Sequence, residues 1–188
     1  DGVVTVSRAQ GTVHFPSRFM LVAAHNPCPC GYLDDSQKEC VCTQAQITRY
    51  RKKISGPIAD RIDIHVQVPK VDYDKLASYD LEEASYKIKE RVERARSIQQ
   101  TRFQQEKQLR QIIRTKYEMT IPLIKTHCHI DIKSQDLLRN AVNRLALSAR
   151  SYHKVLKIAR TIADLDGKEE IQAPHVAEAI QYRNSPAQ

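Results

Sequence analysis

The chain has 188 residues, of which 41% are hydrophobic and 28% charged. That length and composition suit one domain or one and a half, with a packed core, and argue against wholesale disorder. The absence of an eighteen-residue apolar run excludes a membrane-spanning helix. The opening Asp1-Gly2-Val3-Val4 has neither the basic nor the apolar region of a secretory signal and, without an initiator Met, reads as the interior of something larger. Five cysteines, four of them between Cys28 and Cys42, fit a reduced cytoplasmic chain better than a disulfide scaffold. The glycines stand at 2, 11, 31, 56 and 167, and none begins G-x-x-x-x-G-K, so the sequence holds no Walker A phosphate loop.

The net charge is +8, and almost all of the excess sits in one stretch. Residues 87–116 carry ten bases (Lys87, Lys89, Arg91, Arg94, Arg96, Arg102, Lys107, Arg110, Arg114, Lys116) against Glu90, Glu93 and Glu106. Such a concentration suits either contact with a polyanion, nucleic acid being the usual one, or a solvated helix face.

In chain order, Val4, Val6, Val13 and Phe15 alternate with polar residues around Arg8-Ala9-Gln10-Gly11, which predicts a β-hairpin. The unbroken apolar run Phe19–Ala24, ended by His25-Asn26-Pro27, predicts a strand buried on both faces. After the cysteine segment, a helix is expected from about Thr43, as its cap, to Lys53, with Ser55-Gly56-Pro57 as a break. Ile62, Ile64, Val66 and Val68 alternate strictly and predict a second strand closed by Pro69.

Beyond the loop Val71–Asp80 every segment reads as helical. Residues 82–105 form a long polar helix with apolar positions at Ile88, Val92, Ala95 and Ile98. Residues 134–147 are expected to start on Ser134 as cap and to align Leu137, Leu138, Ala141, Val142 and Leu145. Residues 149–165 align Val155, Ile158, Ala159, Ile162 and Leu165, with Gly167 as the stop. A last helix is expected from Pro174 to about Arg183. The fold class expected is α/β followed by all-α, with the boundary near residues 70–80.

Four ordered motifs say more. They are Phe19–Tyr32 (FMLVAAHNPCPCGY), Ser55–Val66 (SGPIADRIDIHV), Leu147–Leu165 (LSARSYHK…ARTIADL) and Ile171–Ile180 (IQAPHVAEAI). Together they resemble the magnesium-chelatase-like AAA+ ATPases of the ComM (YifB) type, over about residues 1–183. His25 departs from the pattern, where relatives are expected to carry an apolar residue, usually Met.

The resemblance implies the C-terminal part of such a module, beginning after the Walker A lysine and the Walker B acids. Residues 1–70 would be the end of an AAA+ core with a hairpin before sensor one. Residues 71–80 would be a linker and 81–188 a helical lid. It further implies ATP and Mg²⁺ as cofactors of the parent protein, a hexameric homo-oligomer, DNA as partner and no membrane. The parent activity implied is ATP hydrolysis coupled to branch migration of DNA, with the fragment alone inactive for want of its phosphate loop. Two alternatives remain: a magnesium-chelatase-type subunit driving metal insertion, and a non-enzymatic zinc-containing nucleic-acid-binding protein.

The resemblance also assigns residues. Asn26 falls at sensor one, which orients the attacking water, although by itself it reads as an Asn-Pro turn. Arg61 falls at the arginine finger that reaches a neighbouring subunit's nucleotide, the alternative being a helix-end Arg paired with Asp60 or Asp63. Arg150 falls at sensor two, and Lys154 and Lys157 share its helix face, so a phosphate-facing basic stripe or a plain solvated one is expected there. Arg8, at the hairpin tip, is the expected DNA-phosphate contact. Cys28-x-Cys30 and Cys40-x-Cys42, nine residues apart, suggest a tetrahedral structural Zn²⁺ site, with free thiols or a redox pair as the alternatives. Cys128 reads as incidental. No Ser-His-Asp or Cys-His catalytic set is legible.

Overall fold

A computed structural model describes residues 2–33, 35, 37–53, 56–71, 83–104 and 119–183. The greater part of the expected linker, residues 72–80, lies outside the described residues, as do Ser55, both ends of the expected 82–105 helix and the basic positions 107–116. The chain divides into two compact units, Asp1–Ile47 and Thr48–Gln188.

The first unit opens with the expected hairpin. Strands β1 (Val3–Arg8) and β2 (Gly11–Pro16) pair antiparallel, with Arg8 opposite Gly11 and a two-residue turn between them. The register sets Val4 against Phe15 and Val6 against Val13 on one face, and Thr5 against His14 and Ser7 against Thr12 on the other. The polar face is laced by Thr5 Oγ1 to His14 Nδ1 at 2.8 Å and Ser7 Oγ to Thr12 Oγ1 at 3.0 Å. Helix α1 (Gln44–Arg51) starts where expected. Thr43 Oγ1 accepts the Gln46 N–H at 3.3 Å and Gln46 Oε1 accepts the Thr43 N–H at 2.8 Å, a reciprocal cap.

Two expected strands do not form. Phe19–Ala24 is irregular and solvent-facing, with Met20 87% exposed, and Ile62–Val68 is likewise irregular, with Val68 83% exposed. A strand exists only when a neighbour takes up its N–H and C=O groups, and among the described residues only β1 and β2 form a ladder. Ser55-Gly56-Pro57 was expected only as a break. Instead Gly56 opens a short helix, α2 (Gly56–Arg61), because Pro57 has no N–H to lose in a first turn and a preset φ.

The second unit is a helical bundle: α3 (Ser85–Gln104), α4 (Ile121–His127), α5 (Ile132–Arg144), α6 (Ala149–Leu165) and α7 (Ala173–Gln181). Helix α6 is central, packed by α3, α4 and α7, while α5 packs on α7. Its buried face, with Val155, Ile158, Ala159 and Ala163, meets Phe103, Leu123, Ile124, Leu138, Val176 and Ala179. Ser148 caps α6, accepting the Ser151 N–H at 3.1 Å, and Gly167 ends it at φ +69°, with the Gly167 and Lys168 N–H groups returning to Asp164 and Ala163. A correction falls on α5. Its cap is Asp131, whose Oδ1 accepts the Ser134 N–H at 2.9 Å, and Ser134 is buried inside the first turn. The cap lies earlier because Ile130 is held extended by a parallel bridge to Ile171, so the helix begins directly after it.

Candidate metal centre and sensor segments

The four clustered cysteines lie in the first unit. Cys28 is fully buried, and the sulfurs of Cys28, Cys30, Cys40 and Cys42 all lie within 4.8 Å of one another. Cys28–Cys30, Cys28–Cys40 and Cys30–Cys40 stand at 3.4, 3.7 and 3.6 Å, and no disulfide links any of them. Two short arms bring them together. The first turns at Gly31, whose N–H meets the Cys28 carbonyl at 3.1 Å and whose φ of +84° is one that L side chains rarely adopt. The second arm runs straight into the Thr43 cap of α1. Between them, Asp35 Oδ1 accepts from the N–H groups of Gln37 and Lys38 at 2.8 and 3.0 Å, and the Lys38 ammonium sits 4.0 Å over the Tyr32 ring.

Backbone N–H groups point at the sulfurs: Tyr32 and Val41 at Cys30, Cys42 at Cys40, Cys30 at Cys42. The Tyr32 N–H, above all, pulls the Cys30 thiol down to about 6. Cys40 is pushed up to about 12 because burial and its three sulfur neighbours outweigh the Cys42 N–H. Sulfurs this close resist more than one negative charge among them, and a bound cation would relieve that repulsion. Asn26 lies against the same turn: a Cβ built on Gly31 would sit 3.7 Å from the Asn26 Nδ2. Arg8 is exposed at the end of β1.

The other expected site residues belong to the second unit. Arg61, at the end of α2, is exposed and donates to the Pro57 carbonyl at 2.8 Å. Arg150, in the first turn of α6, is largely exposed, and its guanidinium stands 3.9 Å from Asp60 Oδ2. The structure therefore brings the Asp60–Arg61 pair and Arg150 together. Lys154 is not free on that face: its ammonium pairs with Asp63 at 2.9 Å and donates to the carbonyls of Asp60 and Arg61. Lys157, on the same face, is half-buried, and burial pulls its ammonium below the usual lysine range.

Sequence reasoning passed over the residue at the centre of this arrangement. Asp60 Oδ1 accepts Ser151 Oγ at 2.7 Å, Ser148 Oγ at 3.3 Å and the Arg183 guanidinium at 3.3 Å. The Ser151 hydroxyl first, then Ser148, Arg183 and Lys154, hold its carboxyl below the usual range. Arg183 also donates to the Ile62 carbonyl, and the His65 N–H to that of Tyr182 at 2.9 Å. So residues 57–65 are strapped to the start of α6 and to the two residues that follow α7. A second network was also passed over. Buried Asp164 takes Arg102 at 2.6 Å, Arg160 at 3.0 Å and Gln99 at 3.1 Å, while Arg160 caps the carbonyls of Lys168 and Glu169. Its one readable signal was the i,i+4 spacing of Arg160 and Asp164.

Comparison with known proteins turns this geometry into a relationship. Residues 82–183 match the model of the magnesium chelatase subunit ChlI C-terminal domain, and residues 1–76 match that of magnesium chelatase subunit ChlI. The chain belongs to the magnesium chelatase ChlI family. Within it, the chain is 37% identical over 184 residues to the competence protein ComM of Haemophilus influenzae, covering 97% of this chain and 34% of ComM. It is 32% identical over 184 residues to the YifB protein of Escherichia coli, with the same coverage of 97% and 34%. The chain thus spans about a third of the length of these relatives. Among the described residues no helix is long and apolar enough to cross a membrane.

Proposed function

We propose that this chain is the C-terminal part of a ring-forming AAA+ ATPase of the ComM type, coupling ATP hydrolysis to movement on branched DNA. The observation that carries the reading is the strap between the Asp60–Arg61 helix and the first turn of α6. Ser148, Ser151 and Arg183 grip Asp60 there, with Arg150 alongside. Phosphoryl transfer needs positioned positive charge rather than a protein nucleophile, and Arg61 and Arg150 are two exposed guanidiniums held by one strap, each available to a different nucleotide. In this reading Arg61 serves the nucleotide of the adjacent subunit and Arg150 that of its own. Asn26 orients the attacking water, and Arg8 touches DNA. Lys154 holds the strap together, so its part in nucleotide binding is indirect. ATP with Mg²⁺ is the nucleotide cofactor, to which these residues contribute cationic contacts; the phosphate-cradling loop is not among these 188 residues. A structural Zn²⁺ at the four thiols completes the cofactor reading.

The test is ATP turnover and binding in the full-length protein. Arg61→Ala is expected to lower kcat by roughly 10³-fold or more with ATP affinity kept. Arg150→Ala should lower both turnover and affinity. Arg8→Ala should keep basal turnover and lose its stimulation by DNA. Unchanged turnover in both the Arg61 and Arg150 variants overturns the reading. The family's name favours a second reading, a chelatase subunit driving metal insertion. The exposed bases of α3 (Lys87, Lys89, Arg91, Arg94, Arg96), outnumbering Glu90 and Glu93, support DNA over that alternative. Stimulation of turnover by a porphyrin-carrying partner, and not by DNA, would reverse the choice.

A further inference from the structure

We propose that Cys28, Cys30, Cys40 and Cys42 bind one structural Zn²⁺ ion and that this ion fixes the turn carrying Asn26. The inference rests on the metal reading just given and extends it from a binding site to a positioning device.

The distances identify the kind of centre. A tetrahedral zinc–thiolate bond of about 2.3 Å implies sulfurs about 3.8 Å apart along each edge. The measured edges of 3.4, 3.6 and 3.7 Å, with all four sulfurs inside 4.8 Å, fit one ion at their centre. A disulfide would draw one pair to about 2 Å. An iron–sulfur cluster interposes several irons and sulfides between its thiolates, and sulfurs this close leave no room for one. Four sulfurs select zinc or a single iron, and between these divalent ions the affinity order favours zinc. With four protein ligands no coordination position is open, so the ion is structural. The N–H groups of Cys30, Tyr32, Val41 and Cys42 aimed at the sulfurs supply the outer hydrogen bonds such thiolates use.

The consequence for Asn26 follows from chain geometry. Asn26 precedes the buried Cys28 by two residues, and its carboxamide packs beside Gly31, the turn glycine of the same arm. The Gly31–Cys28 hydrogen bond closes that turn. Among the described residues the two arms meet at the Lys38–Tyr32 contact and at the four sulfurs with the N–H groups aimed at them, so an ion held by those sulfurs clamps the turn beside Asn26.

The experiment uses the 188-residue chain. Elemental analysis and thiol titration are made with and without a chelator, alongside amide exchange and the side-chain amide signals of Asn26. The expected result is about one zinc per chain, with four thiols protected until chelation. On removal, Gly31 exchange should rise roughly tenfold or more and the Asn26 carboxamide signals should collapse to unfolded positions. Amides of α5 to α7 should not change, which separates a local effect from global unfolding. Cys42→Ser should reproduce the chelated state, and Cys128→Ser should keep its zinc. A chain that takes up no zinc even when titrated with it overturns both the metal reading and the inference. One iron in place of zinc overturns the assignment of the ion. Zinc bound, yet Asn26 and Gly31 unchanged on its removal, overturns the positioning role while the metal reading stands.

Discussion

Asp60 is where single-residue energetics decide most. Its carboxylate takes two hydroxyls and a nearly buried guanidinium, so Asp60→Asn weakens three contacts at once. The expected loss is about 1–2 kcal/mol at pH 7, read by urea unfolding of the helical unit. The pH dependence has a definite sign. A carboxyl held below its unfolded value of about 3.9 stabilises the fold above that pH and ceases to do so as pH falls through the folded value. The parent chain should therefore lose stability below about pH 4, and the Asn variant should lack that part of the decline. Asp60 was visible in the sequence only as the neighbour of Arg61. Its partners Ser148, Ser151 and Arg183 lie far along the chain, and no local pattern joins them.

Helix ends test the next scale. Ser148 is both the cap of α6 and a donor to Asp60, so Ser148→Ala should cost about 1 kcal/mol by thermal unfolding. Ser148→Asp restores a capping oxygen but sets a second carboxylate against Asp60, and should recover little of the loss. The Gly167 stop and the Thr43 cap were legible because each is a bond within a few residues of chain, whereas the Ser148 cap, equally local, went unread. Asp131 and Ser134 are both capping types three residues apart. The choice fell to Asp131 because the bridge from Ile130 to Ile171 fixes where the helix begins, and that is not local information. Phe19–Ala24 and Ile62–Val68 show the same limit in β structure: alternation or an apolar run marks a segment able to pair, and the ladder needs a neighbour.

For the molecule, the helical bundle hangs on α6 and on the ion network beneath its last turn. Asp164→Ala would leave Arg102 and Arg160 facing each other with no carboxylate between them, a loss expected to be 3–5 kcal/mol or about that by chemical denaturation. A Leu substituted at Ile158, by comparison, should cost well under half as much, since volume is kept. By itself the sequence determined the hairpin, the positions of α3, α5, α6 and α7 but not of the short α4, the cysteine pairs and the family, because periodicity, short-range caps and ordered motifs are all written along the chain. Only the tertiary structure decided that the four sulfurs converge, that Asp60 joins α2 to α6, that Lys154 is occupied by carbonyls and Asp63, and that Asp164 is buried between two arginines. Each of those depends on groups brought together from distant positions, and the free energy of such a contact exists only once the backbone has placed both partners.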